Sequence, residues 1–410
     1  MTHASAESLP SGSSVHVVGA GPVGLLLTAM LQSIEGVSVR LYERRPEYTR
    51  TRMVRLAPYL VADTLDDYRT DHIDAETIEA VFDLPELEQG LAFRRSIPSD
   101  LMSLLRAWTQ GFCPLNTIER TLSELIDGRG ANKVQRISTA LTAQDAMEML
   151  QPGDILVDCT GSNSLLRNHL EPHSGERVDG ANTVTFRLEY AIVATFLFGG
   201  PYVCNEVCKY YKNVENLLYK FIPAVDRTFY DGDVSHVTGI IVISADEYAG
   251  MPNKFDGQWL GDHFPDVARS MARFIDKIKQ EAQGDVIGDL EIVRIPLILY
   301  RARNATSRKW RGAAFSDHPF ASTPVFLVGD SAIGSPYFQS ISLGFECAMF
   351  LAGLIAQREL PLRDVLDRYE LHIYKQWLRV YMRSKMIKHN KDLFETVDDK
   401  LALLGKLRIY

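Results

Sequence analysis

The chain carries a Gly19-Ala20-Gly21-Pro22-Val23-Gly24 turn and, 19 residues past its last glycine, Glu43. Glycines at this spacing allow a sharp strand-to-helix turn, a close backbone approach to a pyrophosphate and tight helix–strand packing. The unpaired N–H groups and dipole of the helix that follows favour phosphate charge, and an acid placed like Glu43 accepts hydrogen bonds from ribose hydroxyls. The chemistry expected is dinucleotide binding. An ordinary βαβ unit with an incidental glycine turn is the alternative, and it leaves the position of Glu43 to chance.

Glu43 also opens an arginine-dense stretch, with Arg44, Arg45, Arg50, Arg52 and Arg55. Guanidinium forks suit a pyrophosphate, whose charge a helix dipole offsets only in part, so at least one of these side chains is expected on the cofactor. Two later stretches repeat the theme. Asp158-Cys159-Thr160-Gly161-Ser162-Asn163-Ser164-Leu165-Leu166-Arg167 reads as a strand end, a glycine turn and a helix start, a second cofactor-contacting edge of one sheet. Gly329-Asp330 follows the apolar run Pro324–Val328, which delivers a carboxylate to a strand's carboxyl end, where α/β ligands sit. Bonding to polyol hydroxyls would remove much of the cost of burying that carboxylate. No metal site is expected: Cys204 and Cys208 lie four apart without a partner pair, and no H-E-x-x-H occurs.

The elements that must hold these residues can be read from periodicity. Val15–Val18 is an expected buried strand, Leu25–Leu31 an apolar helix and Val37–Tyr42 a second strand. Ala75–Phe82 and Asp100–Trp108 show helical spacing, punctuated by Pro85, Gly90 and Pro98, in a connecting or covering segment. Ile118–Leu125 is an expected amphipathic helix with Asn116 or Thr117 as its N-cap. Asp154–Val157 is a further strand. From 178 to 323 the texture changes to grouped β-rich runs: Thr183–Leu188, Ala191–Leu197, His236–Ile243 and Leu290–Tyr300, interrupted by one helix, Phe264–Ala282. Such grouping predicts a largely antiparallel sheet inserted in the nucleotide-binding lobe. Leu343–Ala356 is a nearly all-apolar helix beyond the loop Ile333–Ser342, and Tyr369–Met386 an amphipathic packing helix.

The 410 residues suffice for two or three domains or one two-lobed enzyme, and the 46% hydrophobic and 23% charged content fits a soluble globular protein. A net charge of −8 argues against a general nucleic-acid or anionic-membrane surface. Residues 1–14 read as a disordered tail and not a signal peptide, no apolar run is long enough to span a membrane, and five scattered cysteines suggest a reducing, cytoplasmic setting.

Together the Gly19 turn, the 158–167 turn and Gly329-Asp330 resemble the three fingerprints of the group A flavoprotein monooxygenases, the aromatic-hydroxylase family, in order across about residues 15 to 360. The resemblance implies FAD as cofactor, Asp330 on its ribityl chain, Arg120 as the family's helix arginine that reaches the cofactor, and Pro336 beside the flavin. Gly161 and the helix start at Leu343 join that expected set. The stretch from Glu43 to Leu56 is also similar to the MICAL monooxygenases, which implies Arg45 and Arg50 at the FAD site. Two departures stand out: Thr160-Gly161 replaces the usual Asp-Gly, and the chain after Asp330 lacks the family's glycine pair.

By this likeness the fold is α/β. It has a Rossmann-like FAD-binding domain of residues 15–62, 105–177 and 324–360, with a covering segment at 63–104. A mostly antiparallel substrate domain follows at 178–323, with C-terminal helices at 361–410. The implied activity is oxygenation of an organic small molecule by way of a flavin C4a-hydroperoxide, using O2 and electrons from NADPH or NADH, directly or through a flavin reductase. An oxidase or dehydrogenase, a halogenase or a cyclase on the same fold is the alternative, although the halogenase W-x-W-x-I-P motif is missing around all four tryptophans.

Overall fold

The computed structural model describes residues 14–50, 53–70, 72–130, 134–171, 182–199, 221–227, 234–311, 315–335 and 340–407. Pro336 lies outside them, as do Arg52, Cys204, Cys208, Gln339 and the first 13 residues. The chain divides into two compact units, one of residues 1–186 and 299–383 and the other of residues 187–298 and 384–410.

The first unit opens with β1 (Ser14–Val18), α1 (Pro22–Leu31) and β2 (Ser38–Glu43). β3 (Met53–Arg55) pairs antiparallel with β4 (Phe112–Pro114). Between them in sequence lie α2 (His72–Val81), α3 (Leu84–Arg95) and α4 (Ser99–Thr109). The helix α3 runs straight through two expected breakers. Pro85 sits in its first turn, where a missing N–H costs nothing, and Asp83 and Glu86 form a reciprocal capping box.

Next come α5 (Leu115–Gly128), β5 (Val134–Ser138), α6 (Ala143–Glu148) and β6 (Ile155–Asp158). Neither Asn116 nor Thr117 caps α5, which starts after Pro114 without a side-chain cap. The Asn116 N–H is taken instead by the Arg50 carbonyl at 2.8 Å.

Most of the second unit is built on β7 (Thr183–Gly199), β8 (Phe221–Arg227), β9 (Val234–Ile243), β10 (Lys254–Phe255) and β11 (Asp285–Ala302), in the sheet order β10-β11-β7-β9-β8. The two runs expected at 183–188 and 191–197 are one strand. In the same way, α7 (Ala245–Gly250) and α8 (Gly257–His263) join the single helix expected here, α9 (Pro265–Ala282). Sheet residues Ile192, Phe196, Phe198 and Val237 form a core with Leu260, Val267 and Met271. Phe196 and Phe198 are thus core residues.

The chain re-enters the first unit at residue 299, near the end of β11, and continues with β12 (Val325–Leu327), β13 (Ile333–Gly334), α10 (Ser340–Ala356) and α11 (Leu362–Leu407), whose residues from 384 on are assigned to the second unit. Among the described residues no helix is long and apolar enough to cross a membrane.

One sheet organises the first unit. Its order is β12-β6-β1-β2-β5, and all four pairings are parallel. Val15 and Val17 are fully buried, as a strand covered on both faces requires. α1 packs against α5 and α10 and buries Leu25, Leu26, Leu27 and Leu31 completely, each worth about 1.5–3 kcal/mol. The chain leaves β1 for β2 on one side and later adds β6 on the other. The carboxyl ends of β1 and β6 therefore flank a topological switch point, where open α/β sheets bind ligands.

Candidate functional site

The backbone turns off β1 at Gly19, with φ at +99°, and a Cβ there would lie 2.7 Å from the Cys159 carbonyl oxygen. Gly24 is constrained differently: a Cβ on it would lie 2.0 Å from the Gly19 carbonyl oxygen. At Gly21 a Cβ would meet only Arg50 Nη2, at 3.4 Å. The missing Gly21 side chain thus leaves a cradle over the start of α1, which has Pro22 in its first turn and no side-chain cap. N–H groups there are free to face an anion.

Glu43, at the end of β2, is tied to the same turn. Its Oε2 accepts from the Ala20 N–H at 2.8 Å, and its Oε1 from the Arg45 N–H at 2.9 Å and Arg45 Nε at 3.1 Å. Burial alone would raise this carboxyl, but the bonds from Arg45 and Ala20 outweigh it and hold the group below its ordinary value. Arg50 donates to the carboxylate of Glu119, a fully buried residue on α5.

The second turn is organised by Asp158. Its buried carboxylate accepts from the Thr160 N–H (2.9 Å), Thr160 Oγ1 (2.6 Å), Ser164 Oγ (2.6 Å), the Leu166 N–H (2.8 Å) and Ser331 Oγ (3.1 Å). The helix start expected after Gly161 is therefore absent. Segment 160–166 wraps around one carboxylate, and only a 3-10 turn follows at Arg167–His169. Arg167 then donates to the carbonyls of Asp330 and Ser331, both at 3.0 Å, and lies 5.0 Å over the Tyr300 ring. Tyr300 Oη donates to the Asp330 carbonyl at 2.7 Å, and Ser340 Oγ to the Asp330 carboxylate at 3.0 Å. Burial chiefly, with the nearby Asp330 charge, pushes the Tyr300 hydroxyl up to about 12.

A cavity of about 500 Å³ joins these parts. Gly19, Gly21, Pro22, Val23, Glu43, Arg44, Arg45, Arg50, Gly161 and Asp330 line it. Ala20, Gly24 and Gly329 do not; the first binds Glu43, the second packs on Gly19, and Gly329 (φ +67°) sits against Val23. Arg120 is off the cavity as well, exposed and donating to the Tyr48 carbonyl at 3.3 Å. Neighbouring residues on a helix point about 100° apart. With Glu119 facing inward, Arg120 faces out. Leu343 lines a separate small cavity of about 50 Å³ with Tyr59 and Arg379.

Sequence reasoning missed Tyr42, Ser340 and the Thr139–Leu141 segment, which also line the main cavity. That segment leaves β5 at the same sheet edge, but β5 buries only Val134 and carries no readable alternation. Ser331 was missed as the residue joining the second turn to the third.

These residues fit a dinucleotide. A cradle that a Cβ would fill, an uncapped helix start, three arginines and two carboxylates suit a diphosphate between hydroxyl-bearing groups.

No protein-family model and no curated protein sequence matches the chain. Among solved structures, the Diels-Alderase PyrE3 of pyrroindomycin biosynthesis is similar at a TM-score of 0.50 and 16% identity, over 96% of this chain and 78% of that one. BexE, studied for oxidation during BE-7585A biosynthesis, reaches 0.48 at 16% identity over 96% and 73%. CabE, an aromatic hydroxylase from angucycline biosynthesis, reaches 0.47 at 16% over 98% and 73%. The chain thus has an α/β fold similar to that of PyrE3, with a Rossmann-like parallel sheet and a mainly antiparallel second sheet.

Proposed function

We propose that the 500 Å³ cavity holds FAD and that the protein is an FAD-dependent monooxygenase acting on an organic small molecule. The observation that carries this reading is the convergence of the Gly21 cradle, Glu43, Arg45, Arg50 and Asp330 on one cavity at the switch point of the parallel sheet. Glu43 would accept from the adenosine ribose, α1 and Arg50 would hold the pyrophosphate, and Asp330, positioned by Tyr300, Arg167 and Ser340, would accept from the ribityl chain. Arg45 and Arg50 line the cavity, which fits what the local likeness to the MICAL monooxygenases implies.

Bound FAD would supply reduction by NADPH or NADH, directly or through a flavin reductase, and reaction with O2. The protein's part is to orient, to exclude water and to fix charge. Residues 15–62, 105–177 and 324–360 form the cofactor domain on this reading, and 178–323 the substrate domain. Product mass after turnover under isotopically labelled O2 tests it. Incorporation of one labelled oxygen atom is expected; a turned-over product without label would assign oxidase, halogenase or cyclase chemistry to the fold instead.

A further inference from the structure

A second cavity, of about 240 Å³, opens among α2, α3, α10 and α11. Its wall is aromatic. Phe350 and His372 stack at 3.8 Å with their planes 4° apart, and Phe93 meets Phe350 edge-on at 5.4 Å. Burial drives the His372 imidazole down to about 3, so at neutral pH it is an uncharged ring.

The same wall carries a buried guanidinium with one donor unmet among the described residues. Arg94, 3% exposed, donates from Nη2 to Glu346 at 3.2 Å and from Nη1 to the Tyr68 hydroxyl, while its buried Nε has no acceptor. The other Glu346 oxygen is taken by Arg379 at 3.2 Å, so two guanidinium groups share one carboxylate. On the open side Glu86 is paired with Lys375, and Arg368 makes no ion pair among the described residues. Both acids of the wall are already paired with cations, while the buried Arg94 Nε–H and the exposed Arg368 guanidinium remain beside the aromatic pocket. A buried N–H without an acceptor is costly unless a partner arrives.

We propose that this cavity is a second ligand site, for a small aromatic carboxylate, separate from the glycine cradle. A dry pocket of about 150 Å³ is enough for benzene, so the space here accommodates one ring with its acid group. Ring edges and faces of Phe93, Phe350 and His372 suit the aromatic part. The planar fork of Arg368 and the unmet Nε–H of Arg94 suit the carboxylate. This inference does not depend on flavin chemistry.

Calorimetric titration of the full chain, with and without excess FAD, tests it with benzoate as the probe and benzamide as its uncharged counterpart. Benzoate is expected to bind at least about tenfold more tightly than benzamide, the scale of one charge-assisted hydrogen bond. Arg368→Gln and Leu371→Asp change exposed positions of the wall, so the fold survives both. Both are expected to weaken benzoate several-fold, and Arg368→Gln to leave benzamide unchanged. No benzoate heat at about 10 mM probe, equal affinity for benzamide, or benzoate binding indifferent to both substitutions would overturn the proposal.

Discussion

Arg50 and Glu119 form an ion pair between the arginine-rich strand exit and α5, with the carboxylate fully buried and the guanidinium 42% exposed. The guanidinium reaches this partner by lying over Gly21. One acid on a helix therefore aims a cation at the cradle where a phosphate would sit.

Removing Arg50 strands that carboxylate. Arg50→Ala is expected to lower stability by about 1–3 kcal/mol, less than the 3–5 of a fully buried pair because Arg50 is partly solvated. FAD affinity should fall as well. Urea midpoints and flavin titration of the same preparation check both.

Two glycines of one motif should respond differently. Gly24→Ala forces a Cβ to within 2.0 Å of the Gly19 carbonyl oxygen. The backbone must move, with a loss of about 3 kcal/mol or more. Gly21→Ala meets only the Arg50 tip at 3.4 Å, so it should fold with a change under about 1 kcal/mol while its methyl group obstructs the phosphate. Thermal melts paired with FAD titration separate the two outcomes.

That contrast marks what the sequence could convey. The glycine spacing with Glu43 identified β1, α1, β2 and the cavity they border, because turn, helix start and acid each have a local chemical reason. Gly329-Asp330 was legible on the same grounds. Arg120 was not, since only the buried state of Glu119 reveals which way α5 is turned. Neither was the Asp158 hub, where a single carboxylate gathers five donors and replaces the expected helix start. The capping box hidden around Pro85 made α3 look like a break.

Tyr300 fixes the Asp330 carbonyl from a strand 30 residues away. Tyr300→Phe keeps the ring under Arg167 and deletes one hydrogen bond, a loss of about 0.5–1.5 kcal/mol. Flavin retention is expected to fall several-fold with little change in the circular dichroism spectrum. An unchanged affinity for FAD would remove Tyr300 from the account.

His372 gives the protein an acid-side weakness. Its imidazole titrates near 3 when folded, against about 6.5 unfolded, because burial outweighs the help of Glu346, with Arg379, Arg94 and Lys375 adding to the depression. The unfolded chain therefore takes up the proton first. Stability should be full above about pH 6.5 and decline as pH falls towards 3. His372→Phe keeps the stack on Phe350 and should flatten this slope. The depressed Glu346 carboxyl still contributes a loss at lower pH. Urea denaturation across that range is the check.

The most direct test of the central claim is flavin absorbance of the protein after equilibration with excess FAD and gel filtration. The wild type is expected to retain about one flavin per chain, with Asp330→Ala and Gly21→Ala retaining far less at unchanged elution volume. A wild-type protein that elutes colourless, or variants that hold FAD as tightly as it does, would contradict the assignment of this cavity to FAD.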